Sequence, residues 1–121
     1  HPELQFYIVG EGILVSSQVV NCLKIDLKDS FLKNILNSDK CRYTKNFFDD
    51  KVNSLNDTFK ALTKIYPNLH FIERNKPLEL SNGFYKTYSD KGIPLFFDDA
   101  HFSSEGGILV GKYLMEEIEK E

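Results

Sequence analysis

Residues 94–107 read Pro94-Leu95-Phe96-Phe97-Asp98-Asp99-Ala100-His101-Phe102-Ser103-Ser104-Glu105-Gly106-Gly107. An apolar run ends in two carboxylates, a histidine follows within one turn, and a helix-start signal comes next. Leu95–Phe97 is apolar and aromatic and is bounded upstream by Gly92, which predicts a short buried strand. Ser103 or Ser104 supplies the N-cap oxygen for a helix running from Glu105, and Glu105 suits the positive end of the helix dipole. Asp98 and His101 therefore fall in the loop between a strand end and a helix start. Open α/β sheets gather their active sites at that edge.

The chemistry asks for this arrangement. A histidine acting as general base must be held in one tautomer, and a carboxylate on one ring nitrogen does this while leaving the other nitrogen free. The short irregular stretch from Asp98 to His101 lets both side chains point the same way, whereas Asp99 points elsewhere. The plainer reading is that Asp98 caps a turn and His101 is an ordinary surface imidazole. An Asp-x-x-His spacing by itself does not separate the two.

The block Phe97-Asp98-Asp99-Ala100-His101-Phe102-Ser103-Ser104-Glu105-Gly106 resembles the last conserved block of the SGNH (GDSL-like) hydrolases, which carries the catalytic Asp and His. The nearest variety is the SGNH domain fused behind acyltransferase-3 membrane proteins, which O-acetylate bacterial surface glycans. That domain often shows an aspartate-rich run, then His-Leu-Ser and a glycine; here Phe102 stands where leucine is usual. Two further stretches, Phe6-Tyr7-Ile8-Val9-Gly10-Glu11 and Tyr66-Pro67-Asn68-Leu69-His70-Phe71-Ile72, are similar to strand segments of the same domain. The likeness spans most of this chain but only the C-terminal half of that domain.

The family's nucleophile lies in a Gly-Asp-Ser block near the domain's start, and no Gly-Asp-Ser occurs in this sequence. The resemblance thus implies that residues 1–121 are the C-terminal part of a single SGNH-like domain, holding Asp98 and His101 but not the serine. The implied fold is α/β, a partial flavodoxin-like three-layer sandwich with a mainly parallel sheet that lacks its N-terminal strands. The implied activity is acyl transfer or ester hydrolysis on cell-surface glycans, with an acyl donor and a glycan acceptor as partners. The implied location is periplasmic or extracytoplasmic, behind an upstream acyltransferase-3 membrane domain.

Composition is compatible with one small domain. At 121 residues and 41% hydrophobic content the chain buries one modest core. A net charge of -3 makes no electrostatic case for nucleic-acid binding. No apolar run approaches the roughly 18 residues of a membrane-spanning helix, and the first residues lack the basic and apolar regions of a signal peptide. Neither low complexity nor internal repeats occur.

Outward from the site, Val110, Leu114 and Ile118 form the inward stripe of the last helix, flanked by Tyr113 and Met115. Its acidic end, from Glu116 to Glu121, opposes the dipole and is expected to fray. Upstream, Asn75–Ile93 has no clean period and reads as a long surface loop near the active edge or as a disordered insertion. Leu69–Glu73 reads as a strand. It follows a helix on which Phe48, Val52, Leu55, Phe59, Leu62 and Tyr66 make a core-facing seam, with Thr44 as its cap and Pro67 as its stop. A helix passing through a short turn into a strand is half of a βαβ unit and points to a parallel sheet. Earlier still, Leu27, Phe31 and Ile35 mark a helix from Leu23 that Asn37-Ser38-Asp39 breaks, Ile13–Val20 is an irregular crossing segment, and Leu4–Val9 is a buried strand.

No cofactor is expected, since a lone Gly10-Glu11-Gly12 is too common to mark a phosphate loop. No metal is expected either, since Cys22 and Cys41 do not make a zinc site. The two cysteines are two unpaired thiols or one disulfide closing a loop of about 20 residues, worth roughly 3 kcal/mol; the compartment implied by the resemblance favours the disulfide. His70 alternates within a strand and reads as structural. Asn56-Asp57-Thr58 fits a glycosylation sequon but falls mid-helix. Two function classes remain: an acyl-transfer enzyme fragment, inactive without its serine, and a non-catalytic α/β module binding a glycan or partner protein. A sheet without its first strands also implies that the chain self-associates, swaps elements, or is found with its missing half.

Overall fold

The computed structural model describes residues 3–15, 17–23, 43–44, 50–81 and 83–120. They form a small mixed α/β domain. Strand β1 (Phe6–Val9) is followed by helix α1 (Ser17–Leu23), the two-residue strand β2 (Tyr43–Thr44) and helix α2 (Asp50–Thr63). Strand β3 (Leu69–Ile72), a 3-10 turn (Lys76–Leu78), the short strand β4 (Phe84–Tyr85) and helix α3 (Ser104–Glu119) complete the order.

β1 and β3 pair in parallel, with Phe6 opposite Leu69 and Val9 opposite Ile72. The pairing expected of half a βαβ unit is thus present, and α2 lies in the crossover. The other ladder is antiparallel, Tyr43 opposite Tyr85 and Thr44 opposite Phe84. Thr44 is thus a strand residue, while the start of α2, and with it the expected cap, lies outside the described residues. Because side chains alternate across a strand, Phe6, Ile8, Leu69 and Phe71 share the face toward α2. There a Cβ on Gly10 would touch the Phe71 ring at 2.7 Å and Asn56 Oδ1 at 3.1 Å.

The expected buried strand Leu4–Val9 is instead half open: Leu4, Phe6 (53%) and Val9 are exposed. The main core lies beside the sheet. Ile13, Val15, Val19, Leu78, Tyr85, Leu95, Phe96 and Val110 form one buried cluster, with Val20, Tyr88, Phe102, Leu109 and Leu114 packed against it. Leu78 and Leu95 are fully buried. The crossing segment 13–20 thus enters the core and becomes helical from Ser17. The helix expected from Leu23 lies outside the described residues.

The stretch from Asn75 to Ile93 is a correction to the surface-loop reading. It is irregular, but Asn75, Leu78, Tyr85 and Thr87 are buried. Several of its backbone groups pair within the protein: the Lys86 amide donates to the Leu78 carbonyl at 2.7 Å and the Leu95 amide to the Thr87 carbonyl at 2.8 Å. The Tyr88 hydroxyl donates to the Cys22 carbonyl at 2.9 Å, tying this stretch to α1. Burial pushes the Tyr88 phenol up to about 12.

The two long helices also depart from their expected stripes. On α2, Leu55 is exposed while Asn56 is buried, and beyond its end Tyr66 is exposed. On α3, Val110 is buried and Leu114 half-buried, but Ile118 is exposed because the helix runs past the core in its last turns. That end holds to Glu119, where Lys120 pairs with Glu117.

Candidate active site

Leu95 and Phe96 are buried as expected, but they make no continuous strand, and Phe97 is 76% exposed. Phe96 and Phe102 instead form an isolated antiparallel bridge, with their rings 5.1 Å apart. The Phe97 amide donates to the His101 carbonyl at 2.8 Å, and the Ser103 amide to the Leu95 carbonyl at 3.0 Å. Residues 97–101 are thus a loop pinched at its base over two buried side chains. Phe97 is turned outward because the chain reverses there and leaves the core at that residue.

Helix α3 begins where the pinch ends. Ser103 is its N-cap: its side chain accepts from the Gly106 amide at 3.2 Å and donates its own proton to the Pro94 carbonyl at 2.6 Å. One residue thereby closes the loop and starts the helix.

Within the loop, Asp98 Oδ1 accepts from the amides of Ala100 (2.9 Å) and His101 (2.8 Å). That is the turn-capping role of the plainer reading. The same carboxylate also reaches the ring, with His101 Nδ1 at 2.9 Å from each of its oxygens. The two backbone donors, joined by the His101 ring, hold the Asp98 carboxyl down at about 2. The carboxylate is then ionised and can only accept. Nδ1 must carry the proton, so neutral His101 presents its Nε2 lone pair away from Asp98. The ring is 78% exposed, and no described residue hydrogen-bonds Nε2.

Asp99 is placed differently. Its side chain makes no hydrogen bond or ion pair among the described residues, while its carbonyl accepts from the Val15 amide at 2.7 Å. This ties the loop to the buried 13–15 segment.

The segment after β1 is held by two buried asparagines, Asn56 and Asn75, whose packing role the sequence reading did not assign. Asn56 Oδ1 accepts from the Glu11 amide at 2.8 Å. Asn75 Oδ1 accepts from the Ile13 amide at 3.2 Å, and its Nδ2 donates to the Glu11 carbonyl at 3.1 Å. A signal existed for Asn56: it falls four after Val52 and three before Phe59, inside the apolar stripe, where a polar residue requires a buried partner. Arg74 follows β3 and lays its guanidinium carbon 4.9 Å from the centre of the Phe102 ring. It forms no ion pair among the described residues. Gly12 makes room for it, since a Cβ there would stand 2.8 Å from Nη1.

His70 is not part of this loop. It stacks on Tyr7 at 5.1 Å and its Nε2 lies 2.6 Å from Gln5 Oε1, a role within the sheet. No group of three or more potential metal ligands occurs among the described residues, and no described helix is long and apolar enough to cross a membrane.

Comparison with protein families, curated proteins and solved structures returns no match. The site is therefore read from its own geometry.

Proposed function

We propose that this chain supplies the acid–base half of an SGNH-type acyl-transfer or ester-hydrolysis site acting on cell-surface glycans. His101 is the general base and Asp98 the residue that orients it, and the serine nucleophile comes from outside these 121 residues. One observation carries the reading: His101 Nδ1 lies 2.9 Å from both oxygens of an ionised Asp98 while Nε2 stays open on an exposed ring. In the proposed step Nε2 takes the serine proton as the oxygen attacks the acyl carbonyl, then returns it to the departing alcohol. Asp98 keeps the ring in the tautomer that can do so.

In the same proposal the parallel β1–β3 pair belongs to a flavodoxin-like three-layer sandwich. The whole protein is periplasmic or extracytoplasmic, behind an acyltransferase-3 membrane domain that delivers the acyl donor. A second reading, a non-catalytic module binding a glycan or partner protein, is favoured by the exposed apolar residues of β1.

The test is acetyl transfer and p-nitrophenyl acetate hydrolysis by the whole protein. His101→Ala is expected to cost roughly 10^4-fold in rate, Asp98→Asn less, and Asp99→Asn little. The 121-residue chain alone is expected to show no hydrolysis above background. Full activity in His101→Ala would remove His101 as the base, and no activity in the unaltered whole protein would leave the interaction module as the better account.

A further inference from the structure

A cavity of about 220 Å³ opens between the 86–91 segment and the first turns of α3, and neither Asp98 nor His101 lines it. Its floor includes the fully buried Leu95. On its helical side Ile108, Leu109 and Lys112 follow Glu105 at three, four and seven residues, which puts them on a single stripe of α3. Ile108 is 55% exposed, so the fold leaves branched apolar surface uncovered at the cavity.

The charges do not cancel. Lys86 donates to Asp90 at 2.7 Å, which neutralises that pair. Lys91 and Lys112 remain against Glu105 alone, and neither lysine has an ion-pair partner among the described residues. An apolar wall beside a net charge of one positive suits a ligand with a hydrocarbon body and one negative head. An apolar cavity of about 150 Å³ accepts benzene, so this one accepts roughly eight to ten non-hydrogen atoms.

We infer that this cavity is a binding site for a small aliphatic monocarboxylate. The head group lies between Lys91 and Lys112, and the hydrocarbon body lies on Leu95, Ile108 and Leu109. Lysine suits the task as a point charge with rotatable donors, needing no fixed bidentate geometry. The site is separate from the Asp98–His101 pair and stands whether or not the proposed acyl transfer does.

The test compares hexanoate with hexanamide, which has the same chain and no charge, by titration into the isotope-labelled 121-residue chain. The amide signals of residues 86–91 and 105–112 should shift saturably with hexanoate. Hexanamide should bind at least about tenfold more weakly, ~1.4 kcal/mol, and added salt should narrow the gap. Lys112→Gln, an exposed helical change, should remove most of the preference, and His101→Ala should leave it intact. Equal binding of the two probes, shifts that do not saturate, or a preference that survives in the Lys91→Gln, Lys112→Gln double variant would each overturn the assignment.

Discussion

The backbone of Gly106 lies so close to that of Leu95 that a Cβ on Gly106 would stand 1.9 Å from the Leu95 carbonyl oxygen. This approach lets the first turn of α3 rest on the segment that carries the loop. It also brings the Ser103 hydroxyl to the Pro94 carbonyl and the Ser103 amide to that same Leu95 carbonyl. The geometry of Asp98 and His101 thus depends on a missing side chain five residues further on.

Gly106→Ala is accordingly expected to destabilise the chain by about 1–3 kcal/mol, toward the upper end because the obstacle is backbone and cannot rotate away. Gly107→Ala is the control. Nothing lies within 4 Å of a Cβ there, so the change should stabilise the helix by up to ~1 kcal/mol. Urea unfolding of the two variants checks both signs, and equal midpoints would remove the packing argument.

The second prediction concerns pH. Asp98 is depressed to about 2 by the Ala100 and His101 amides and the His101 ring. Its contribution to the folded loop is fully present above its unfolded value of about 3.9 and is lost as pH falls toward 2. Carbon NMR of the Asp98 carboxyl should give a midpoint well below that of an ordinary aspartate. Nitrogen NMR of His101 should show the Nδ1–H tautomer at neutral pH, and Asp98→Ala should shift the ring toward Nε2–H. An Nε2–H ring in the unaltered chain would undo the proposed base.

Much of this site was legible because its determinants are local. A serine before a glutamate marks a helix start, and an aspartate three before a histidine can reach its ring. The passage from a helix into β3 was likewise legible, although α2 ends at Thr63, before Pro67, and Leu55 and Tyr66 of the expected stripe are exposed. What the sequence hid is set by partners that follow no helix or strand period. The interior position of Leu78, Tyr85 and Thr87 rests on pairs such as Lys86 with Leu78 and Leu95 with Thr87, which impose no period. Asn75 is buried because a segment sixty residues away needs its amide. Apolar composition in Phe6, Val9 and Phe97 signals a capacity for burial, and it does not say whether anything covers them.

The third prediction concerns the cysteines. Cys22 is buried near the end of α1, while Cys41, and with it the expected pairing, lies outside the described residues. In a protein made in an oxidising compartment, non-reducing peptide mass mapping should show Cys22 linked to Cys41. Reduction should then lower stability by about 3 kcal/mol, as a loop of about 20 residues implies. Recovery of both as alkylated thiols would withdraw the support they lend to an extracytoplasmic location.

The last prediction is about the open side of β1. The Phe6 amide donates to the Asn68 carbonyl and the Gly10 amide to that of Ile72, both at 2.9 Å. In a parallel ladder such donors alternate, so the Tyr7 and Val9 amides point to the opposite edge, and no described strand pairs there. Phe6 and Val9 are exposed along the same strand, and Leu4 just before it. An unpaired edge flanked by apolar side chains is a template for another chain. The 121-residue chain should therefore associate in sedimentation at tens of micromolar. Val9→Lys, which places a charge on the edge, should shift it toward monomer with little loss of stability, because Val9 is already solvated. A monodisperse monomer before the substitution would show that this edge is adequately protected, and the expectation of a strand beside β1 would go with it.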